Sequence, residues 1–309
     1  MSERWAVVLG VSSGNGLEIA RAVARDPGLS IFGAHRGNFP EQADELVTEV
    51  EGRGRRGVLH VGDVGTWAGV QAGVDALADV VAPRSVALFV HSIANASLGR
   101  FVVGGDGPFR PFIERNFHKT LDSMANSFCW WAQALYERDL LAPGSRLLGL
   151  TNPIADSMIN NFGLITAAKA ALEVYVRHLA WEMGSQGHRI NLLNFGTVDT
   201  PAVKRAFTPE RWERFRRVVE RAIPAGRMLT TVEVGAFVSK LMAEEAGWIN
   251  GAVIDFTGGQ SQSLLDALLY DDWRTEDDEA AVRRSQATPT PHETTATAHA
   301  VPNAPKEDS

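Results

Sequence analysis

Three stretches of the chain carry residues that could do chemistry. The first is Lys169, in the opening turns of an amphipathic helix that follows a polar loop containing Thr151, Asn152, Asn160 and Asn161. Apolar or small residues at Ala168, Ala171, Leu172, Tyr175 and Leu179 keep the i, i+3, i+4, i+7 spacing of one buried face. A cation near a helix N-terminus stands against the helix dipole and needs another reason to be there. Either Lys169 is a solvated surface lysine, or it is aimed into a site at the C-terminal end of a parallel sheet. The second stretch is the glycine-rich turn from Gly10 through Ser12, Ser13, Gly14 and Gly16 to Leu17. It sits between the apolar run WAVVLG and a helical segment from Ala20 to Arg25. Strand, glycine turn, helix is the context in which backbone N–H groups and a helix N-terminus receive a pyrophosphate. The third is Arg36, after the apolar segment LSIFGA, where no acidic residue follows. An acid there would bind the ribose 2′-hydroxyl of NAD, whereas a guanidinium suits the 2′-phosphate of NADP. Arg36 therefore points to NADPH over NADH, against the alternative of a solvated loop arginine.

The elements that position these residues alternate between short apolar runs and helical patterns. Residues 5–10, 29–34, 58–61, 86–90, 146–151 and 189–195 read as strands, with helical segments between them. This order predicts an α/β, Rossmann-type, doubly wound parallel sheet in a single domain over residues 1–270. Phe117 to Asp139 reads as one long helix carrying Phe128, Trp130, Trp131 and Leu135, with the tryptophans either in the core or at an interface. Trp67 to Val81 looks helical, which makes Asp63 a candidate N-cap.

Several motifs in order resemble the short-chain dehydrogenase/reductase family, and most closely its enoyl-acyl-carrier-protein reductase branch. The spacing GxxxGxG over Gly10, Gly14 and Gly16 is similar to that family's fingerprint. His91-Ser92-Ile93-Ala94 resembles the His-Ser-Ile-Ala of the enoyl reductases, and the 151–183 stretch resembles the active-site segment. The resemblance implies that Asp63 and Val64 meet the adenine, and that Ser92, Ile93 and Ala94 lie near the nicotinamide ribose. It implies that Gly196, Val198 and Thr200 meet the carboxamide and that Lys169 holds the ribose. It also implies a flap about residues 200–224 over the substrate, and packing against a partner subunit as a homodimer or homotetramer.

One group defining the family's chemistry is missing. The enoyl reductases have a tyrosine seven residues before the lysine, where this chain has Phe162; the commoner register, four before, holds Ile165. A second branch tyrosine is replaced by Asn152, and the asparagine many members carry on the preceding helix is replaced by Met124. Catalytic candidates are therefore Lys169, Asn152 and Thr151, with Phe162 marking the lost phenol. Losing one oxyanion donor costs about 2.7–4 kcal/mol, which damages a ketone reductase, whose phenol moves the proton, more than an enoyl reductase. The expectation is a divergent NADPH-dependent reductase of an enoyl or carbonyl thioester, in lipid or polyketide biosynthesis. The alternatives are a non-redox cyclase, isomerase or dehydratase on the same scaffold, or a non-catalytic binding partner.

Composition sets outer limits. The 309 residues are 45% hydrophobic and 22% charged, ordinary for a globular chain. A net charge of −7 argues against a nucleic-acid partner. Arginines at 205, 211, 214, 216, 217 and 221 make the flap basic, attractive to the phosphates of coenzyme A or to an acyl carrier protein, unless Glu210, Glu213 and Glu220 neutralise it. Cys129 stands alone, so neither a disulfide within the chain nor a cysteine metal site is expected, and no metal site is expected at all. Neither a signal peptide nor a membrane span is apparent, which predicts a cytoplasmic protein. Residues 271–309, rich in Asp, Glu, Thr, Pro and Ala, are expected to be a disordered tail.

Overall fold

A computed structural model of the chain describes residues 3–102, 110–153, 158–204 and 207–261. The predicted tail over 271–309 and flap residue Arg205 lie outside the described residues.

Strand β1 (Trp5–Leu9) is a wholly buried apolar run, as the interior strand of a parallel sheet must be. Its side chains alternate between two cores. Trp5, Val7 and Leu9 join one, while Ala6 and Val8 join the other. Around it are β2 (Ser30–His35), β3 (Gly57–Val61), β4 (Val86–His91), β5 (Leu141–Thr151), β6 (Arg189–Phe195) and β7 (Val253–Phe256). The order is β3-β2-β1-β4-β5-β6-β7, with every neighbouring pair parallel. The chain turns back at β1 and β4, and there a doubly wound sheet opens a crevice beyond its carboxyl ends.

Helices cover both faces. Helices α1 (Gly14–Arg25), α2 (Pro40–Glu51) and α9 (Thr231–Lys240) bury Ile19, Val23, Leu46, Val234 and Val238 in the second core. Helices α3 (Trp67–Ala78), α5 (Ser127–Glu137) and α6 (Gly163–Gly184) bury Val74, Leu77, Phe128, Trp131, Leu172 and Val176 in the first. Helices α7 (Pro201–Lys204) and α8 (Pro209–Ala222) occupy the stretch expected to be the flap.

The long helix predicted over 117–139 is α4 (Glu114–Leu121) running into α5 through one π-helical turn, Asp122–Asn126. Ser123 in that turn donates from Oγ to the Asn95 carbonyl at 2.8 Å, tying the wide turn to the loop after β4. Trp131 is fully buried and donates from Nε1 to the Val64 carbonyl at 3.1 Å; Trp130 is only partly buried and meets Trp67 edge-on at 5.4 Å. The N-cap of α3 is Thr66, whose hydroxyl accepts from Gly69 N, so Asp63 is not the cap. Asp63 instead accepts from Gly65 N at 3.3 Å, a turn interaction two residues on. Among the described residues no helix is long and apolar enough to cross a membrane, and no cluster of three or more His, Cys, Asp or Glu side chains could hold a metal.

Candidate active site

The glycine turn occupies the switch point. Gly10 has φ 81, a left-handed value that glycine adopts without strain, and a Cβ there would strike the Ser92 carbonyl. Ser92 N donates to the Leu9 carbonyl at 3.1 Å, so the ends of β1 and β4 are fastened together. A Cβ on Gly16 would strike the Gly10 carbonyl, which explains why the turn closes only with glycine there. Gly14, with φ 60, faces the Thr200 side chain. The turn after β1 and the loop after β6 thus meet across the crevice, although almost two hundred residues separate them. Ser13 is the N-cap of α1 but makes no side-chain cap bond, leaving first-turn N–H groups available. Ser12 and Leu17 are buried beneath the turn.

Lys169 is 6% exposed, and its Nζ donates to the Leu150 carbonyl at 2.5 Å. It is therefore not a solvated lysine. No ion pair holds it among the described residues, and burial pushes it down to about 8. His91, at the end of β4, is held down to about 3, first by burial and then by the charge of Lys169. It is neutral near pH 7. With Ser127 Oγ donating to the Ser123 carbonyl, His91 Nε2 is left to donate to Ser127 Oγ at 2.8 Å.

Unpaired acceptors gather at the same end of the sheet. Thr151 Oγ1, Asn152 Oδ1 and Asn194 Oδ1 are buried without a hydrogen-bond partner, as are Asn15 Oδ1 in the glycine turn and Asn161 Oδ1 before α6. Thr151 and Asn194 are register partners on β5 and β6. Such groups are costly to bury unless something completes them. A dinucleotide with its hydroxyls and amide fits these residues: free N–H groups at α1, glycines allowing close approach, unpaired polar atoms and a buried cation lacking a counter-ion.

The remaining expected residues are more scattered. Gly196 donates from N to the Phe256 carbonyl at 3.3 Å, and Val198 is buried and bridged to Leu229. Ile93 is half-buried and Ala94 exposed beside Ser92. Arg36 and Asp63 are exposed on the rim, after β2 and β3, and Val64 is buried. Met124 is buried in the π turn, and its neighbour Asn126 accepts from the Tyr175 hydroxyl at 2.9 Å, on the packing side of α6.

Phe162 caps the start of α6 and is 9% exposed. Its ring lies 6.3 Å from that of Phe207, which stacks on Phe215 at 4.9 Å, with Trp212 5.9 Å from Phe215. Phe162, Phe207 and Phe215, with Asn161, Arg211 and Arg214, line a cleft of about 340 Å³, and Trp212 stands behind Phe215. Sequence reasoning read α8 only through its arginines. The signal it missed was Trp212, Phe215, Val219 and Ala222, an apolar stripe at helical spacing on the same helix.

The fold and crevice define a Rossmann-type scaffold with a buried lysine at a dinucleotide cradle. Residues 10–261 match the enoyl-(acyl carrier protein) reductase family. The chain belongs to that family of short-chain dehydrogenase/reductases and is an NAD(P)H-dependent oxidoreductase. It is 29% identical over 260 residues to the 1-cyclohexenylcarbonyl-CoA reductase of Streptomyces collinus, covering 83% of this chain and 86% of that one. It is 31% identical over 183 residues to the NADH enoyl-[acyl-carrier-protein] reductase FabI of Escherichia coli, covering 58% and 66%. The L-sorbose reductase of Gluconobacter frateurii, solved with NADPH and L-sorbose, superimposes with a TM-score of 0.72 at 21% identity over 85% of this chain and 98% of that one.

Proposed function

We propose that the chain is an NADPH-dependent reductase of an α,β-unsaturated thioester. The observation that carries this reading is Lys169, buried on the Leu150 carbonyl beside the unpaired acceptors of Thr151 and Asn152. A buried cation with hydrogen-bonding capacity to spare suits a ribose diol and gives the crevice a positive potential. NADPH, when bound, would supply the hydride equivalent for the substrate's β-carbon. The Asn152 amide N–H₂, or a water held by it, would donate in place of a phenol to the thioester oxygen as negative charge builds there, until a proton from solvent reaches the α-carbon. Phe162 cannot donate. Enoyl reduction tolerates that loss better than carbonyl reduction, in which the missing group must deliver the proton. The Streptomyces relative is named for an unsaturated CoA thioester, which supports the substrate class. The E. coli relative is named for NADH, and Arg36, with no acid at the tip of β2, is what favours NADPH here.

The test is titration of the purified chain with NADPH and NADH by nicotinamide fluorescence, followed by turnover of enoyl-coenzyme A substrates. Preference for NADPH by about tenfold or more, with consumption of the cofactor on adding an enoyl thioester, is the expected result. Product formation with no change in nicotinamide absorbance would replace this reading with a non-redox reaction on the same scaffold. Binding of neither cofactor would remove it.

A further inference from the structure

We infer that the cleft beside Phe162 is shaped for a thioester whose acyl part is a flat unsaturated ring, enclosed by Phe162, Phe207 and Phe215. Arg211 and Arg214 at its mouth receive the phosphate of the carrier arm. This deepens the proposed function and rests on it for which end of the substrate reacts. Phe162, the N-cap residue of α6, stands seven residues before Lys169 and lines the cleft. The Lys169 charge sits on the Leu150 carbonyl at the end of β5. The residue replacing the phenol is therefore a wall of the cleft and not an idle remnant.

The rings could serve only to anchor the flap to the body, but two observations go beyond anchoring. First, the walls leave a cleft of about 340 Å³, within the roughly 300–1,000 Å³ typical of small-molecule sites. Its walls are aromatic: Phe207 stacks on Phe215 at 4.9 Å and is tilted against Phe162 at 6.3 Å, a lining on which a flat ring can pack. Second, the arginines of α8 are divided. Arg216 is held by Glu213 and Glu220 at 2.7 and 2.8 Å. Arg211 and Arg214, which line the cleft, have no acidic partner among the described residues. Packing alone gives no reason to set two unneutralised guanidiniums at the mouth of an aromatic slot. A phosphate at the solvent end of a ring-bearing thioester does.

Calorimetric titration of the full chain without nicotinamide tests this with three probes: benzoyl-coenzyme A, hexanoyl-coenzyme A and the phosphate-free benzoyl-N-acetylcysteamine. Benzoyl-coenzyme A is expected to bind about tenfold more tightly than hexanoyl-coenzyme A. Phe215→Leu, which keeps the cleft apolar, should bring that ratio within about twofold. Arg211→Ala with Arg214→Ala should weaken both coenzyme A probes alike and leave the phosphate-free probe unchanged. Equal or tighter binding of hexanoyl-coenzyme A by the unaltered chain, or binding of none of the probes, overturns the inference whether or not the variants fold. An arginine pair whose removal changes nothing overturns the phosphate assignment. Because the readout is binding alone, ring selectivity without hydride transfer would leave this inference standing and remove the reductase reading. Reduction of straight-chain enoyl thioesters without ring preference would do the reverse.

Discussion

Replacing Lys169 by methionine should stabilise the cofactor-free protein near neutral pH and alter its pH dependence in a predictable way. Lys169 is held down from 10.5 to about 8 by burial. Its folded value lies below its unfolded one, so the unfolded chain binds the proton more strongly. The penalty is present in full below about pH 8 and is lost as pH rises toward 10.5, so stability from this group rises across that window. A fall from 10.5 to about 8 corresponds to roughly 3 kcal/mol. Lys169→Met removes this penalty and also loses one hydrogen bond to the Leu150 carbonyl, a net contribution of about 1 kcal/mol. The variant should therefore be about 2 kcal/mol more stable at neutral pH, and the unaltered protein should overtake it by about pH 10.5. Urea unfolding of both proteins at a series of pH values reads the difference directly, since every other titrating group is shared. Parallel curves would refute the claim that a charged lysine is buried here. With saturating NADPH the slope should flatten, because a bound diol accepting from Nζ stabilises the charged form.

Three further outcomes follow from the same geometry. Phe162→Tyr should raise the rate of enoyl-dependent NADPH consumption, by up to about 10²-fold if the phenol reaches the thioester oxygen; a stopped-flow absorbance assay measures it, and a fall in rate would favour the ring-wall role alone. Arg36→Ala should weaken NADPH binding about tenfold and leave NADH binding unchanged, as read by nicotinamide fluorescence titration. Gly10→Ala should abolish dinucleotide binding and lower the thermal midpoint, because its Cβ meets the Ser92 carbonyl at a φ of 81, strain of about 1–3 kcal/mol; an unchanged melt would show that the turn relaxes freely.

Features written in local spacing were legible before the structure. WAVVLG followed by Gly10, Gly14 and Gly16 names its own strand, turn and helix, because Gly10 and Gly16 are demanded by backbone contacts and Gly14 by its left-handed φ of 60. Lys169 was legible as a position out of keeping with the helix dipole, and the structure supplies the reason in its burial. What was not legible depends on distant partners. Asp63 looked like a helix cap, but Thr66, three residues on, has the hydroxyl that reaches Gly69 N. The meeting of Gly14 with Thr200, and the convergence of Phe162 with Phe207 and Phe215, depend on where the segment after β6 folds back. The arginines of α8 drew attention because charge is conspicuous in sequence. Phe215 on the same helix lines the cleft beside them.

The π turn at Asp122–Asn126 bears on how this chain is lined up with its relatives. Such a turn takes up one residue more than an ordinary helical turn, and one residue is about 100° of rotation. Counting back from the end of α5 places Met124 opposite the asparagine of other members, but the count holds only for a relative whose helix widens at the same point. Where it does not, an ungapped comparison pairs residues from different faces, and an apparent substitution is a phase error. Deleting one residue within the turn would be the physical form of that error: either Trp131 would swing off Val64 or Ser123 would leave Asn95. A gap placed inside this helix, ordinarily the last place to allow one, is the correction that puts equivalent side chains in the same column.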